Sequence, residues 1–313
     1  MSPFCQRAYL PVALLFLLSL LEAATVLTRD LLPSLELAAL PPMQHSAMTL
    51  ACFGLIAAAT AILRRDPSPS FPALRGAALT GLTLFAAPLC LAAIATRYIP
   101  PLTVAAFETL APLFCVILNP YLGAYPGEAQ EPPQPRYGIL PALAAFAGVL
   151  LIFPVFVPST YAAALAIAAA LLAAFSLGAG NCLAVRTAAE HPSLAVTAAT
   201  ASLSAAFTLG LLSFLLERPR LRLAMFNLPT ITLFLSELIA LALLFWLTRR
   251  LSAPPLSTRI LWTLLIPIFI EAAALPVPLS TRSWIGLALM ASGSALLLLP
   301  PKRSSALRGL TLH

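Results

Sequence analysis

Apolar residues in this chain come in long runs, and Arg, Pro, Gly and Asp cluster in the short gaps between them. The runs lie near 8 to 28, 41 to 63, 76 to 96, 101 to 119 and 137 to 157, then near 160 to 184, 192 to 216, 224 to 248, 254 to 275 and 282 to 300. Each is about the 20 residues that a helix needs to cross the hydrocarbon core of a bilayer. The pattern predicts an all-α integral membrane protein with about ten transmembrane helices.

Composition agrees. Of 313 residues 60% are hydrophobic and only 9% charged, against roughly 45–50% and 25% in soluble domains. Ten spans with short connections use up the length, which leaves no room for a separate soluble domain. The first run has a second reading: Arg7, the apolar stretch from Ala8 to Leu21 and Glu22-Ala23-Ala24 resemble a signal peptide with a small-residue cleavage site. The apolar run continues to Leu27, and an even number of spans requires it, so it is kept as a helix. Most of the 30 prolines lie at span ends or in connections. Pro88, Pro112 and Pro267 fall inside runs, where a missing N–H frees a carbonyl and kinks a helix.

The net charge of +7 comes from 17 Arg and one Lys, distributed over the connections. Nucleic-acid binding would call for one basic face or patch, and none is present. Twelve basic residues (Arg7, Arg64, Arg65, Arg75, Arg136, Arg186, Arg249, Arg250, Arg259, Lys302, Arg303 and Arg308) fall on one side of the alternation and six on the other. The positive-inside rule then puts both termini in the cytoplasm, in a multi-pass plasma or inner membrane protein. Arg218, Arg220 and Arg222 run against that assignment. The five cysteines are scattered with no C-x-x-C and read as small hydrophobes.

The chain repeats itself. Pro100-Pro101-Leu102-Thr103 precedes Pro112-Leu113-Phe114 in the fourth run, and Pro254-Pro255-Leu256-Ser257 precedes Pro267-Ile268-Phe269 in the ninth. A basic residue and a glycine-bearing helix follow in each case: Arg136 with Gly138 and Gly148, and Arg282 with Gly286 and Gly293. Two repeats are expected, at 1–157 and at 158–313, the second ending in a short cytoplasmic tail. Five spans per repeat is an odd number, so the second copy enters from the opposite side. Inverted repeats of this kind suit alternating access, in which two halves rock around a site near the midplane.

The Pro112 block with Gly127-Glu128 after it, and Trp284-Ile285-Gly286 through Gly293, resemble the drug/metabolite transporter superfamily and its EamA-like branch. The likeness covers the whole chain, with diffuse motifs. It implies two EamA-like five-helix repeats and secondary transport of a metabolite or drug-like molecule. The sequence departs from the family pattern at three places. Leu20-Leu21-Glu22 replaces a Trp-Gly in the first span, Gln44 or His45 stands where the family has Arg, and no Gly-Glu follows the ninth span.

A charge at the centre of a bilayer costs about 2.5–3.5 kcal/mol on insertion scales, so ionisable residues inside spans are candidates for function. Glu108 and Glu237 fall near mid-span, Glu22, His45 and Glu271 toward outer ends, and Arg259 about one turn into the ninth run. Glu108 and Glu237 read either as cavity-facing groups for a cation or proton, or as neutral hydrogen-bonded residues, with Ser236 a local partner for Glu237. His45 is expected to rest among headgroups after Pro41-Pro42; the alternative is that it meets Glu22, on the consecutive antiparallel helix near the same membrane face, and shares a proton with it. Arg259 is expected to snorkel to the interface; facing inward, it would hold an anionic substrate. Asn119 and Asn181 are expected to cap helices or bond between them. Trp246, Trp262 and Trp284 fit an aromatic belt, with Trp262 a candidate to line the cavity.

Enzyme function finds little support: there is no H-E-x-x-H, no metal or cofactor motif and no G-x-x-x-x-G-K-[ST], and the two aspartates, Asp30 and Asp66, lie in connections. The expected partners are a small-molecule substrate and the bilayer, with a homodimer as an option; no nucleic acid and no cofactor are expected. A channel or a non-transporting scaffold is the alternative to a transporter.

Overall fold

The structure, a computed structural model, describes residues 3–31, 41–123, 136–153, 158, 160–217, 228–274 and 280–299, and all its regular elements there are helical. They form ten rods among the described residues: α1 (Pro3–Leu31), α2 (Pro42–Leu63), α3 (Phe71–Ala95), α4 (Pro101–Leu122), α5 (Arg136–Ile152), α6 (Tyr161–Glu190), α7 (Leu194–Leu216), α8 (Leu228–Thr248), α9 (Ala253–Ser257 continued by Arg259–Ala274) and α10 (Thr281–Leu298). Seven helices among the described residues are long and apolar enough to cross a membrane, namely α2, α3, α4, α6, α7 and most of α8 and α9. Shorter apolar stretches, Leu10–Thr25 and Gly138–Ile152, occupy α1 and α5. The largest departures in length are α1, which runs from Pro3 to Leu31, and α6, which continues to Glu190 through Asn181 and Arg186.

The helix starts follow local chemistry. Pro occupies the first turns of α2, α3 and α4, where no intrahelical N–H is lost. Thr160, Ser193 and Ser280 cap α6, α7 and α10 by accepting the N–H of Ala163, Val196 and Ser283. The three predicted kinks behave differently. Before Pro88, α3 widens into a π-turn over Leu82–Ala86, with the Ala87 N–H reaching back to the Leu82 carbonyl. The freed Thr83 carbonyl accepts the Ser176 hydroxyl of α6 at 2.9 Å. Before Pro112, α4 breaks at Thr109 and Leu110. Pro267 interrupts nothing: the segment Arg259–Ala274 runs through it, and α9 breaks earlier, at Thr258.

Among the most extensive helix pairs are α2 with α7 and α5 with α10. Beyond these, α6 packs on α3 and α4, α1 packs on α8 and α9, and α3 lies along α7 as α8 does, less closely, along α2. Small residues set the approach. A Cβ at Gly148 would lie 2.5 Å from the Gly286 carbonyl oxygen, and one at Gly286 would lie 2.7 Å from the Gly148 carbonyl oxygen, so α5 and α10 touch backbone to backbone. Gly180 likewise lets α6 rest on the π-turn, where a Cβ would come 2.6 Å from Leu84 Cα.

Contacts between helix ends give the bundle two poles. At one, Ser193 donates its hydroxyl to Asp66 and Arg249 donates to the carbonyls of His191 and Pro192 at 2.8 Å each. At the other, Glu217 accepts the Met43 and Gln44 N–H groups at 3.2 and 3.3 Å, capping α2 with a negative charge, and Arg97 donates to the Leu216 carbonyl. Arg218, Arg220, Arg222, Lys302, Arg303, Arg308 and the Gly127-Glu128 pair lie outside the described residues.

The glycine contacts generate a prediction. Gly286→Val should destabilise the protein by about 1–3 kcal/mol or more through overpacking. Gly210→Ala, where a Cβ meets nothing within 4 Å, should be neutral or stabilising by about 0.5–1 kcal/mol. Thermal unfolding of the two variants in detergent checks both signs.

Candidate functional site

The ionisable residues are brought together in an arrangement different from the expected one. Arg259 follows the turn at Thr258, which aims it into the bundle, and it is 7% exposed. Its guanidinium pairs with Glu22 of α1. Thr263, one turn further along α9, donates its hydroxyl to the second Glu22 oxygen at 3.0 Å. Arg259 therefore does not snorkel: a buried counter-charge is a better partner than a distant interface. Its Nε, and Nε1 of Trp262 three residues on, are buried donors with no acceptor among the described residues. The Trp262 ring is half-buried and stands edge-on to Phe16 of α1, centroids 4.6 Å apart.

A second cluster joins α2 to α8. His45 is buried, and its Nε2 lies 2.8 and 3.0 Å from the two carboxylate oxygens of Glu237. Thr49, buried one turn along α2, donates to Glu237 at 2.8 Å. His45 thus pairs with Glu237 inside the bundle and not with Glu22. Each carboxylate takes a partner from the other half of the chain because α1 packs on α9 and α2 reaches α8. Ser236 does not serve Glu237 either; its hydroxyl donates to the Leu233 carbonyl at 2.7 Å.

The two clusters share a plan. Each holds a carboxylate, a basic group and a threonine hydroxyl, and the threonine sits four residues after the basic group: Thr49 after His45, Thr263 after Arg259. Neither threonine stands out in the sequence as a candidate by charge or by depth. That i, i+4 spacing places them on one helix face and was available as a signal.

Glu108 stands apart. It ends the first segment of α4, deep in the protein, and takes no hydrogen bond or ion pair among the described residues. Asn181 neither caps nor bridges: its Nδ2 donates to the Leu177 carbonyl of its own helix at 2.8 Å, leaving Oδ1 buried without a donor among the described residues. Asn119 is also buried. Trp246 lies under the Arg250 guanidinium at a helix end, and Trp284 is exposed. The cysteines are less scattered than they read, since Cys115 and Cys182 approach to 3.5 Å between α4 and α6. The Glu271 side chain lies outside the described residues.

No family model and no curated protein matches the chain. A solved structure, a crystal structure of a protein of unstated function, superposes with a TM-score of 0.70 over 94% of this chain and 98% of that one, at 19% identity. The likeness is one of fold, extending over nearly the whole length of both chains.

The Glu22–Arg259 pair yields a double-substitution prediction. Breaking a buried pair from one side costs about 3–5 kcal/mol, whereas removing both charges costs far less. Glu22→Leu and Arg259→Met should each lower the unfolding temperature sharply, and the double variant should recover most of the loss. A double variant as unstable as the two losses added together would show the groups to be uncoupled.

Proposed function

We propose that this chain is a secondary transporter of a small polar or amphipathic molecule. In this reading it is a member of the drug/metabolite transporter superfamily, EamA-like, with ten crossings, two inverted five-helix halves and both ends in the cytoplasm. The observation that carries the reading is that both intramembrane charge clusters bridge the halves: Glu22 to Arg259, and His45 to Glu237. A site built on that boundary is remade each time the halves rock against each other.

The packing supports the repeat. Adding five to each helix number turns α4 on α6 into α9 on α1, α3 on α6 into α8 on α1, and α3 on α7 into α8 on α2. The pairs α2 with α7 and α5 with α10 map onto themselves. Those relations are what a two-fold axis in the membrane plane produces from an odd number of helices. The Gly148 and Gly286 backbones, facing each other across the last helix of each half, fit the same axis.

Roles follow from chemistry. Arg259, with an unsatisfied Nε beside the unsatisfied indole N–H of Trp262, offers donors to an acceptor group on the substrate. His45 with Glu237 forms a unit that gains or loses one proton between two acceptors, the coupling element of a proton-driven cycle. No ATP-binding motif is present, so an ion or substrate gradient supplies the energy.

Two outcomes are expected in proteoliposomes. Uptake of the cognate substrate saturates with concentration and follows an imposed proton gradient; flux linear in concentration would mean a pore. Glu237→Gln and His45→Gln each lower uptake at least about tenfold or abolish its pH dependence, as loss of a coupling group requires. Wild-type rates with an unchanged pH profile in both variants would remove proton coupling through this pair. A reporter fused to the C-terminus should read as cytoplasmic.

A further inference from the structure

Glu22 and Glu237 have partners from within the protein; Glu108 has none among the described residues. The residue is half-buried at the break in its helix. The backbone at the same point is also unsatisfied. In a continuous helix the Glu108 carbonyl would accept the N–H of residue 112, which is Pro112 and has none. Across the break, Thr109 N–H bonds the Ala105 carbonyl, Leu110 N–H the Phe107 carbonyl and Phe114 N–H the Leu110 carbonyl. The carbonyls of Glu108 and Thr109 accept no backbone hydrogen bond there. An unpartnered carboxylate and two carbonyl oxygens without backbone donors thus sit at one helix break, at the negative end of the segment Pro101–Glu108.

We infer that the break in α4 is a binding site for a small monovalent cation, held by the Glu108 carboxylate and the freed carbonyls of Glu108 and Thr109. Hard oxygen donors at an unwound helix suit an alkali ion or a primary ammonium group, which meets the same oxygens through its N–H donors. The two sources share this chemistry: a coupling ion, or the amine end of a cationic substrate. The second half lacks the site. α9 breaks at Thr258, ahead of an arginine, and its helix runs unbroken through Pro267. The inference deepens the transporter reading by naming what one half binds, but direct binding is measured without transport, so either can fail alone.

The test is equilibrium binding of Na+, K+ and methylammonium to purified protein in detergent, with choline as the inert cation. Wild-type protein should bind at least one of the three saturably. Glu108→Gln, close to isosteric, should weaken that binding at least about tenfold while eluting as the same monodisperse species. Pro112→Ala keeps the carboxylate but returns an N–H to the Glu108 carbonyl, and it should weaken binding as well. Saturation by Na+ or K+ identifies a coupling ion and by methylammonium alone a substrate amine. No saturable binding of any of the three, or equal affinity in Glu108→Gln, overturns the proposal.

Discussion

A charge inside an apolar bundle has to find its counter-charge within the protein, and this requirement organises the centre of the molecule. Glu22 and Arg259 are far apart in sequence, and each would be costly alone in a medium without water. Their pairing fixes α1 against α9, draws Thr263 to the second carboxylate oxygen and holds Arg259 away from the interface. The His45 and Glu237 pair does the same for α2 and α8 with Thr49. The helices that carry charges are therefore registered by them, and other contacts, between Ala, Gly and Leu, fill in around that registration.

The same accounting extends to the backbone. Helices satisfy their own N–H and C=O groups, which is why an apolar chain of this length folds into rods. Where a rod is broken, something must take over the freed groups. At the π-turn of α3 the Ser176 hydroxyl does so. At the start of α2 the Glu217 carboxylate takes two N–H groups. At the break of α4 no backbone donor does. The first two places are closed by side chains of the chain itself, and the third is where we infer a ligand.

Much of the fold was legible from one dimension. Runs of about 20 apolar residues bounded by Arg and Pro located the helices, because the thickness of a bilayer and the rise of a helix together fix that length. The proline-led starts of α4 and α9 were legible as helix starts. Glu22, His45, Glu108, Glu237 and Arg259 were legible as candidates because charges are so rare in this chain.

Partnership was not legible. Sequence order offered His45 as a partner for Glu22 only because their helices are consecutive, whereas the bundle set α1 on α9 and α2 beside α8. Sequence by itself determined that the chain is helical, apolar and sparing with charge, since those properties follow from composition and run length. The tertiary structure alone decided which carboxylate meets which base, that Arg259 turns inward and that Glu108 is left over, because helix packing brings together residues nearly two hundred or more positions apart and local periodicity carries no information about them.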